Sequence, residues 1–450
     1  MQQLRLPWGY HRLAPGAGRR FNPGRWHHFA AWPRGRLVNQ LAVDAWRRDD
    51  GRVKDTPPAE FLPVGSSPPM MRGKTSKVAL MLGGGGARAA YHAGFLRRLG
   101  ELHPELYFPI LTGVSAGAIN IACLGSGTGS FRENSVRLSD LWANITVSQV
   151  FRADWTATLA NMLRWVGRLA TGGSGLTPST RSLVDTEPLR NFLSAALRPG
   201  ADGRLQGLAD NVQRGHLDAV AITTTNYLSG ISTTWVESRD VVSWSRPGRS
   251  GVPADLGLNH VMASCALPLF FPAVRLENAW HGDGGIRLVS PLSPAIHLGA
   301  TKILAISTRP ARPFPTTDPI RPVPYPAPAS IIGQMLDAVF LDVLDQDALH
   351  LQRLNHLLAG HPRQNQDGLS QVELILVRPS VDIASLAAAH ERDLPRAFRF
   401  AIRGLGTRDT AQSDLLATVM FSHSYVGQLM EIGARDAEVR SDEIAAFVRG

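Results

Sequence analysis

Downstream of residue 77, short and almost wholly apolar runs alternate with longer stretches whose apolar positions recur at helical spacing. Apolar runs without polar alternation are expected where strands are buried on both faces of a sheet. Strands are predicted at Val78–Leu82, Tyr107–Thr112, Ala219–Thr224, Ser232–Val236 and Ile303–Ser307. Helices fit between them at Ala87–Leu99, Ala116–Leu124, Pro188–Ala196, Leu258–Cys265 and Pro294–Leu298. This order predicts an α/β fold of three layers, α/β/α, around a mostly parallel central sheet.

The pattern breaks after Arg309, where the prolines from Pro310 to Pro328 make residues 310–330 a proline-rich connector. Beyond it, Ile331, Met335, Leu336, Val339, Phe340, Val343 and Leu344 fall at helical spacing, with Asp337, Asp342 and Asp345 between them. A further buried strand is predicted at Val372–Val377, and helices near Leu394–Leu405 and Ser413–Glu431. Residues 331–450 are therefore expected to form a mainly helical C-terminal region packed on a catalytic body at 76–309. The acids of the amphipathic helix disfavour contact with anionic lipid, so its apolar face is expected to pack inward.

Residues 1–75 read differently. Nine prolines punctuate them and no amphipathic period persists, which predicts a poorly ordered leader. The chain's net charge of +10 is concentrated there: residues 1–77 carry 14 Lys or Arg against 5 acids, a net of +9, and the remainder is nearly neutral. A nucleic-acid footprint is expected on a folded body, so no nucleic-acid partner is predicted. Trp8, Trp26, Trp32 and Trp46 interleaved with arginine give the leader the composition of a peripheral membrane tether. A dispensable leader, with the natural start at Met70 or Met71, is the plainer reading. No stretch reaches the roughly 18 apolar residues of a membrane span and no secretory signal opens the chain, which predicts a cytoplasmic protein, peripheral at most.

Two stretches carry candidate chemistry. Gly83-Gly84-Gly85-Gly86-Ala87-Arg88-Ala89 follows the first strand and opens the first helix. Glycines there expose backbone N–H groups to an anion at a helix N-terminus, either a pyrophosphate, since Gly84, Gly86 and Ala89 satisfy the dinucleotide fingerprint, or the oxyanion of acyl transfer. The dinucleotide reading needs an acid at the end of the second strand, and Glu101 and Glu105 come before that strand. At the strand's end stands Gly113-Val114-Ser115-Ala116-Gly117, the GxSxG pattern of a nucleophile elbow. The small residues Gly113 and Gly117 keep the strained turn free of clashes, and Ser115 is the candidate nucleophile.

A serine hydroxyl needs a base. His92, His260 and His281 lie in unremarkable contexts, while His390 and His423 come late, as a Ser-Asp-His order would require, and stay as alternative bases. The stronger candidate is Asp283 in Trp280-His281-Gly282-Asp283-Gly284-Gly285, an acid on a glycine-flanked turn. With an unperturbed pKa near 4 it becomes a useful base only if a desolvated pocket raises that value. The lone Cys123 and Cys265 form no CxxC pair, and neither HExxH nor a calcium loop is present, so no cofactor, metal site or disulfide framework is predicted.

Taken in order and spacing, Gly83–Arg88, Gly113–Gly117 and Asp283-Gly284-Gly285 resemble the signature of the patatin-like phospholipases. Ala263–Pro272 and Asp185–Leu189 resemble further recurrent segments, and the likeness runs from about Val78 to Arg309. It implies a lipid acyl hydrolase acting on a phospholipid or related ester with a Ser115–Asp283 dyad, and the absence of a calcium-loop motif predicts that the activity is calcium-independent. Gly84, Gly85 and Gly86 would form the oxyanion hole and Arg88 would shape the loop. Ala89 departs from the glycine of many relatives, and its methyl group is expected to leave the upstream N–H donors in place.

Overall fold

The computed structural model describes residues 77–152, 182, 184–240, 242–310, 328–340, 342–360, 369–396, 399, 403 and 414–450, within the compact unit Ser67–Gly450. The leader, most of the proline-rich connector and most of the helix expected near Leu394–Leu405 lie outside the described residues.

Ten strands form one sheet: β1 (Val78–Leu82), β2 (Ile110–Val114), β3 (Ala219–Asn226), β4 (Ser232–Ser238), β5 (Trp244–Arg246), β6 (Arg249–Pro253), β7 (Val274–Leu276), β8 (Ala279–Asp283), β9 (Lys302–Ile306) and β10 (Glu373–Val377). Their order is β10-β9-β1-β2-β3-β4-β6-β5, and β8 pairs with both β3 and β7. From β10 to β3 every pairing is parallel, while β4 and β8 run antiparallel to β3. Helices α1 (Ala90–Leu102), α2 (Ala116–Gly125), α3 (Phe131–Ala143), α4 (Glu187–Leu197), α5 (Gln206–Gln213) and α6 (Leu258–Ser264) belong to the body; α7 (Pro328–Phe340), α8 (Asp342–Gly360), α9 (Asp414–Val419) and α10 (His423–Arg449) follow the connector. Among the described residues, no helix is long and apolar enough to cross a membrane.

The pleat explains why the central strands are apolar throughout. Leu80, Leu82, Leu111, Ile222, Leu304 and Ile306 face one core, with α1, α2 and α10 over it. Their neighbours Ala79, Met81, Ile110, Ala221, Ile303 and Ala305 face the other, closed by Leu292, Ala295 and α8 through Leu344, Ala348 and Leu351. Alternate side chains thus enter separate cores, and a single polar residue in these strands would be desolvated on either side.

The segment beyond the connector adds to both layers and supplies the edge strand β10. Helix α10 crosses α1 at close range because Gly94 and Gly433 remove side chains at the crossing. A Cβ on Gly94 would lie 2.0 Å from the Met430 carbonyl oxygen, and one on Gly433 would lie 2.3 Å from that of Tyr91. Gly94→Ala is therefore expected to lower stability by about 2–3 kcal/mol, because the atoms it would strike are rigid helix backbone. Chemical denaturation of the two proteins should show a lower midpoint for the variant at unchanged slope.

Some boundaries differ from the sequence expectation. Strand β2 begins at Ile110 rather than Tyr107, because Pro109 has no N–H to give to a ladder; its carbonyl instead accepts from Asp218 and Ala219. The first helix opens as a 3-10 turn, Gly86–Ala89, before continuing as α1. The helix expected at Ser413–Glu431 is two helices, broken at Met420–Ser422, where Ser422 caps α10 by accepting from the Tyr425 amide.

Candidate active site

Strands β1, β2 and β3 end together at the carboxyl edge of the parallel sheet, where loops of neighbouring strands converge. Ser115 follows β2 directly and leads into α2, with φ 54° and ψ −132°. That backbone is costly for a non-glycine residue and is held by its surroundings. The Ser115 amide donates to Ser264 Oγ at 2.9 Å, whose own hydroxyl donates to the Thr223 carbonyl at 2.7 Å. The Cys265 thiol donates to the Ser115 carbonyl at 3.0 Å, and burial pushes that thiol's pKa well up, with the Asp283 charge adding to the rise. The end of α6 thus grips the elbow from both sides of the peptide.

Glycine is needed on the elbow for space. A Cβ on Gly113 would stand 2.6 Å from the Gly117 carbonyl oxygen, and one on Gly117 would stand 2.2 Å from that of Leu82. The second contact brings the elbow against the glycine loop after β1. There, a Cβ on Gly84 would lie 3.0 Å from Ser115 Cβ, so the loop backbone runs beside the serine. Gly83 donates to the Ile306 carbonyl at 3.2 Å, and Thr308 Oγ1 donates to the Gly84 carbonyl at 2.7 Å. Gly85 (φ 140°) and Gly86 (φ 58°) turn the chain into the 3-10 turn. Among the described residues, the amides of Gly84, Gly85 and Gly86 donate to no protein acceptor, and Gly84 is the one that lies directly beside the serine.

Asp283 ends β8 and is fully buried. Its amide donates to the Ala266 carbonyl at 3.0 Å, its carbonyl accepts from Thr225 Oγ1 at 2.8 Å, and its Oδ1 accepts from the Gly285 amide at 2.9 Å. Gly284 lets this turn press on the sheet: a Cβ there would lie 2.1 Å from the Thr223 carbonyl oxygen and 2.8 Å from Val114 Cγ2. Asp283 is thereby carried to the end of β2, beside Ser115. Burial pushes the Asp283 pKa up to about 7, and the neighbouring Ser115 hydroxyl and the Gly285 amide pull against that rise. Its second oxygen, Oδ2, is buried without a hydrogen-bond partner. An acceptor in that condition, next to a hydroxyl, is chemically equipped to take a proton.

A narrow apolar cavity opens from Ser115. Ile119, Trp142, Leu189, Leu267 and Phe271 line it from the body, and Val419 and Phe421 close it from the C-terminal segment. The second contribution is not legible in the sequence, nor are the roles of Ser264 and Cys265; Leu267, Leu269, Phe270 and Phe271 are candidates there for an acyl-chain pocket, and of these Leu267 and Phe271 line the cavity.

Arg88 takes up a position the sequence indicated only loosely. Its guanidinium is buried and reaches Asp337 Oδ1 at 3.3 Å, Asp414 Oδ1 at 3.4 Å and Thr418 Oγ1 at 2.9 Å. A Cβ on Gly86 would sit 2.2 Å from the Thr418 carbonyl oxygen, so the glycine loop is seated directly on α9. Arg88→Met would leave these carboxylates without their buried cation. It is expected to lower stability by about 3–5 kcal/mol, and a thermal-melt comparison in one buffer reads the loss.

The histidines are engaged elsewhere. His390 bonds to Ser424 and Gln428, His423 to the Ala143 carbonyl, His260 to the Gly257 amide and His281 to Thr224. His92, next to Asn120, is held neutral by burial with its pKa down at about 3. Among the described residues, none of the five hydrogen-bonds to Ser115.

A strained serine at a strand-to-helix turn, under a glycine loop and beside a buried carboxyl at the edge of a parallel sheet, defines the nucleophile-elbow class of α/β proteins. Residues 80–296 match the family model described as patatin-like phospholipase, and the chain carries a domain of that family. Similar solved structures include VipD from Legionella pneumophila, at 12% identity and a TM-score of 0.30 over 79% of this chain and 67% of that one. Human GIVD cytosolic phospholipase A2 in complex with methyl gamma-linolenyl fluorophosphonate is 12% identical, with a TM-score of 0.37 over 83% of this chain and 59% of that one. A further structure of human GIVD cytosolic phospholipase A2 gives 12% and 0.39, over 83% and 62%. The chain thus spans from 59% to 67% of the length of these proteins. No curated protein matches the sequence.

Proposed function

We propose that the protein is a serine-dependent lipid acyl hydrolase whose substrate is a phospholipid or related lipid ester. The observation that carries the reading is the Asp283 carboxyl: buried, raised to about 7, with Oδ2 unpartnered beside the Ser115 hydroxyl. At neutral pH such a group is part carboxylate and has enough basicity to receive a proton from an alcohol engaged in attack.

In the first step Asp283 takes the Ser115 proton as Oγ bonds to the ester carbonyl carbon, and the carbonyl electron pair moves to oxygen. The amides of Gly84, Gly85 and Gly86 hold that oxyanion. Collapse restores the carbonyl, breaks the bond to the leaving alcohol and returns the proton from Asp283 to it. Water then repeats the sequence on the acyl-serine: Asp283 accepts its proton, hydroxide adds, and the fatty acid leaves as Ser115 regains a hydrogen. The apolar cavity at Ser115 supports a hydrocarbon acyl chain rather than a polar one.

Labelling with an alkyl fluorophosphonate followed by peptide mapping tests the assignment. The adduct is expected on Ser115 in the wild type, to vanish in Ser115→Ala and to form slowly in Asp283→Asn. Undiminished labelling of Ser115→Ala would refute it.

A further inference from the structure

A group of exposed large apolar side chains lies on and around β8, the strand that ends in Asp283. Leu228 is 85% exposed, Val289 67%, Leu269 60% and Trp280 48%. Two hydrogen bonds tie three of them into one rim. The Tyr227 amide donates to the Trp280 carbonyl at 2.9 Å, which sets Leu228 beside Trp280, and Arg287 Nε donates to the Gly230 carbonyl at 2.9 Å, which brings the Val289 segment to the same turn. Leu269 stands between Leu267 and Phe271, both of which line the apolar cavity at Ser115.

Leu269 is also strained, with φ 68°. A β-carbon is unfavourable there, and burial gives no compensation to a leucine so exposed. The turn spends its strain on pointing a leucine into solvent, which serves no purpose in an isolated soluble molecule. Two cations accompany the rim: Arg275, paired across the hairpin with Trp280, and Arg287. Both are exposed, and among the described residues neither forms an ion pair, although Arg275 lines a shallow cleft that also holds Asp185 and Glu187. Glu277, at the hairpin tip, is the acid of this hairpin.

Tryptophan and leucine beside unpaired arginines match an interface with apolar depth and anionic headgroups. We infer that this rim docks the protein on an anionic lipid surface and holds the mouth of the acyl cavity against it. The inference rests on the proposed lipid hydrolase activity and is separate from any role of the leader. Trp280 and Asp283 share β8 beside the end of β3, which places the rim and the site at the same edge of the sheet.

The test uses the full chain and vesicles of equal parts phosphatidylcholine and phosphatidylglycerol. Wild type, Leu228→Ser with Trp280→Ser, and Arg275→Gln with Arg287→Gln are compared by co-sedimentation, by release of fatty acid from the vesicles, and by hydrolysis of a monomeric short-chain ester. The apolar pair is expected to weaken co-sedimentation about 10-fold or more. The arginine pair is expected to weaken it about 5-fold per cation removed, and only while salt is low. Vesicle hydrolysis should fall in parallel, with short-chain ester hydrolysis unchanged. Unchanged co-sedimentation of both pairs would overturn the inference, as would an equal fall on both substrates, which would assign the rim to the fold of the site. A shift in oligomeric state with unchanged co-sedimentation would overturn it in favour of a second copy of the chain. If wild type hydrolyses neither substrate, the proposed activity fails, while the co-sedimentation difference still decides the rim.

Discussion

Ser115→Ala is expected to reduce ester hydrolysis about 10,000-fold or more, to the level left by the glycine loop and substrate binding alone. The fold should tolerate the change. The anchors of the elbow are main-chain groups, the Ser115 amide on Ser264 and the Ser115 carbonyl on the Cys265 thiol, and alanine keeps both. The strained φ of 54° is as unfavourable for alanine as for serine, so the substitution removes one oxygen and little else. The check is turnover on a dispersed phospholipid alongside a chemical denaturation curve. A fall in turnover below 100-fold with an unaltered midpoint would show that another group attacks the ester. Loss of both would instead mark a folding defect, and Ser115→Cys, which restores a nucleophile of similar size, then separates the two.

Much of the architecture could be read from the chain because its strongest local signals have one physical cause. Val78–Leu82 and Lys302–Ile306 are apolar at every position but the first of the latter, as strands between two cores must be. Ser130 and Glu133 form a capping box that opens α3, a signal that three-residue spacing writes directly into the sequence. The glycine loop, the elbow and the Asp-Gly-Gly turn were legible for a related reason. Each needs residues without side chains where backbones meet, and that requirement is written locally. What local sequence could not carry is the seat of these loops. Arg88 meets Asp337 249 positions later and Asp414 326 positions later, across a connector that no periodicity spans. Val419 and Phe421 belong to a segment whose sequence reads as one continuous helix, and only its break at Met420–Ser422 turns them toward the cavity. Asp283 was legible as a turn acid, but its basicity comes from burial against β3 and the Ala266 turn, both distant from it in sequence or fixed only by the sheet.

That basicity gives the second large effect, and its sign can be worked out from the shift. Asp283→Asn keeps an oxygen able to accept from the Gly285 amide but cannot take the Ser115 proton, so turnover is expected to fall about 1,000-fold. In the wild type the base works only when ionised. With the pKa at about 7, kcat/KM should rise roughly tenfold per pH unit below neutrality and level off above it. The residual rate of the Asn variant should lack that rise. The same shift acts on stability in the opposite direction. A carboxyl with its pKa raised from 3.8 in the unfolded chain to about 7 in the fold holds its proton more tightly when folded. Below both values the group is protonated in either state and costs nothing. As pH climbs from about 4 to about 7, the unfolded chain gains a solvated carboxylate that the fold cannot match, and the wild type loses stability relative to Asp283→Asn. Denaturation curves of the two proteins at pH 4.0 or below and at pH 8, taken together with the rate profile, check both halves. A stability gap that stays constant across that window, or a wild-type rate that is flat between about pH 5 and 8, would remove Asp283 from the role of buried base.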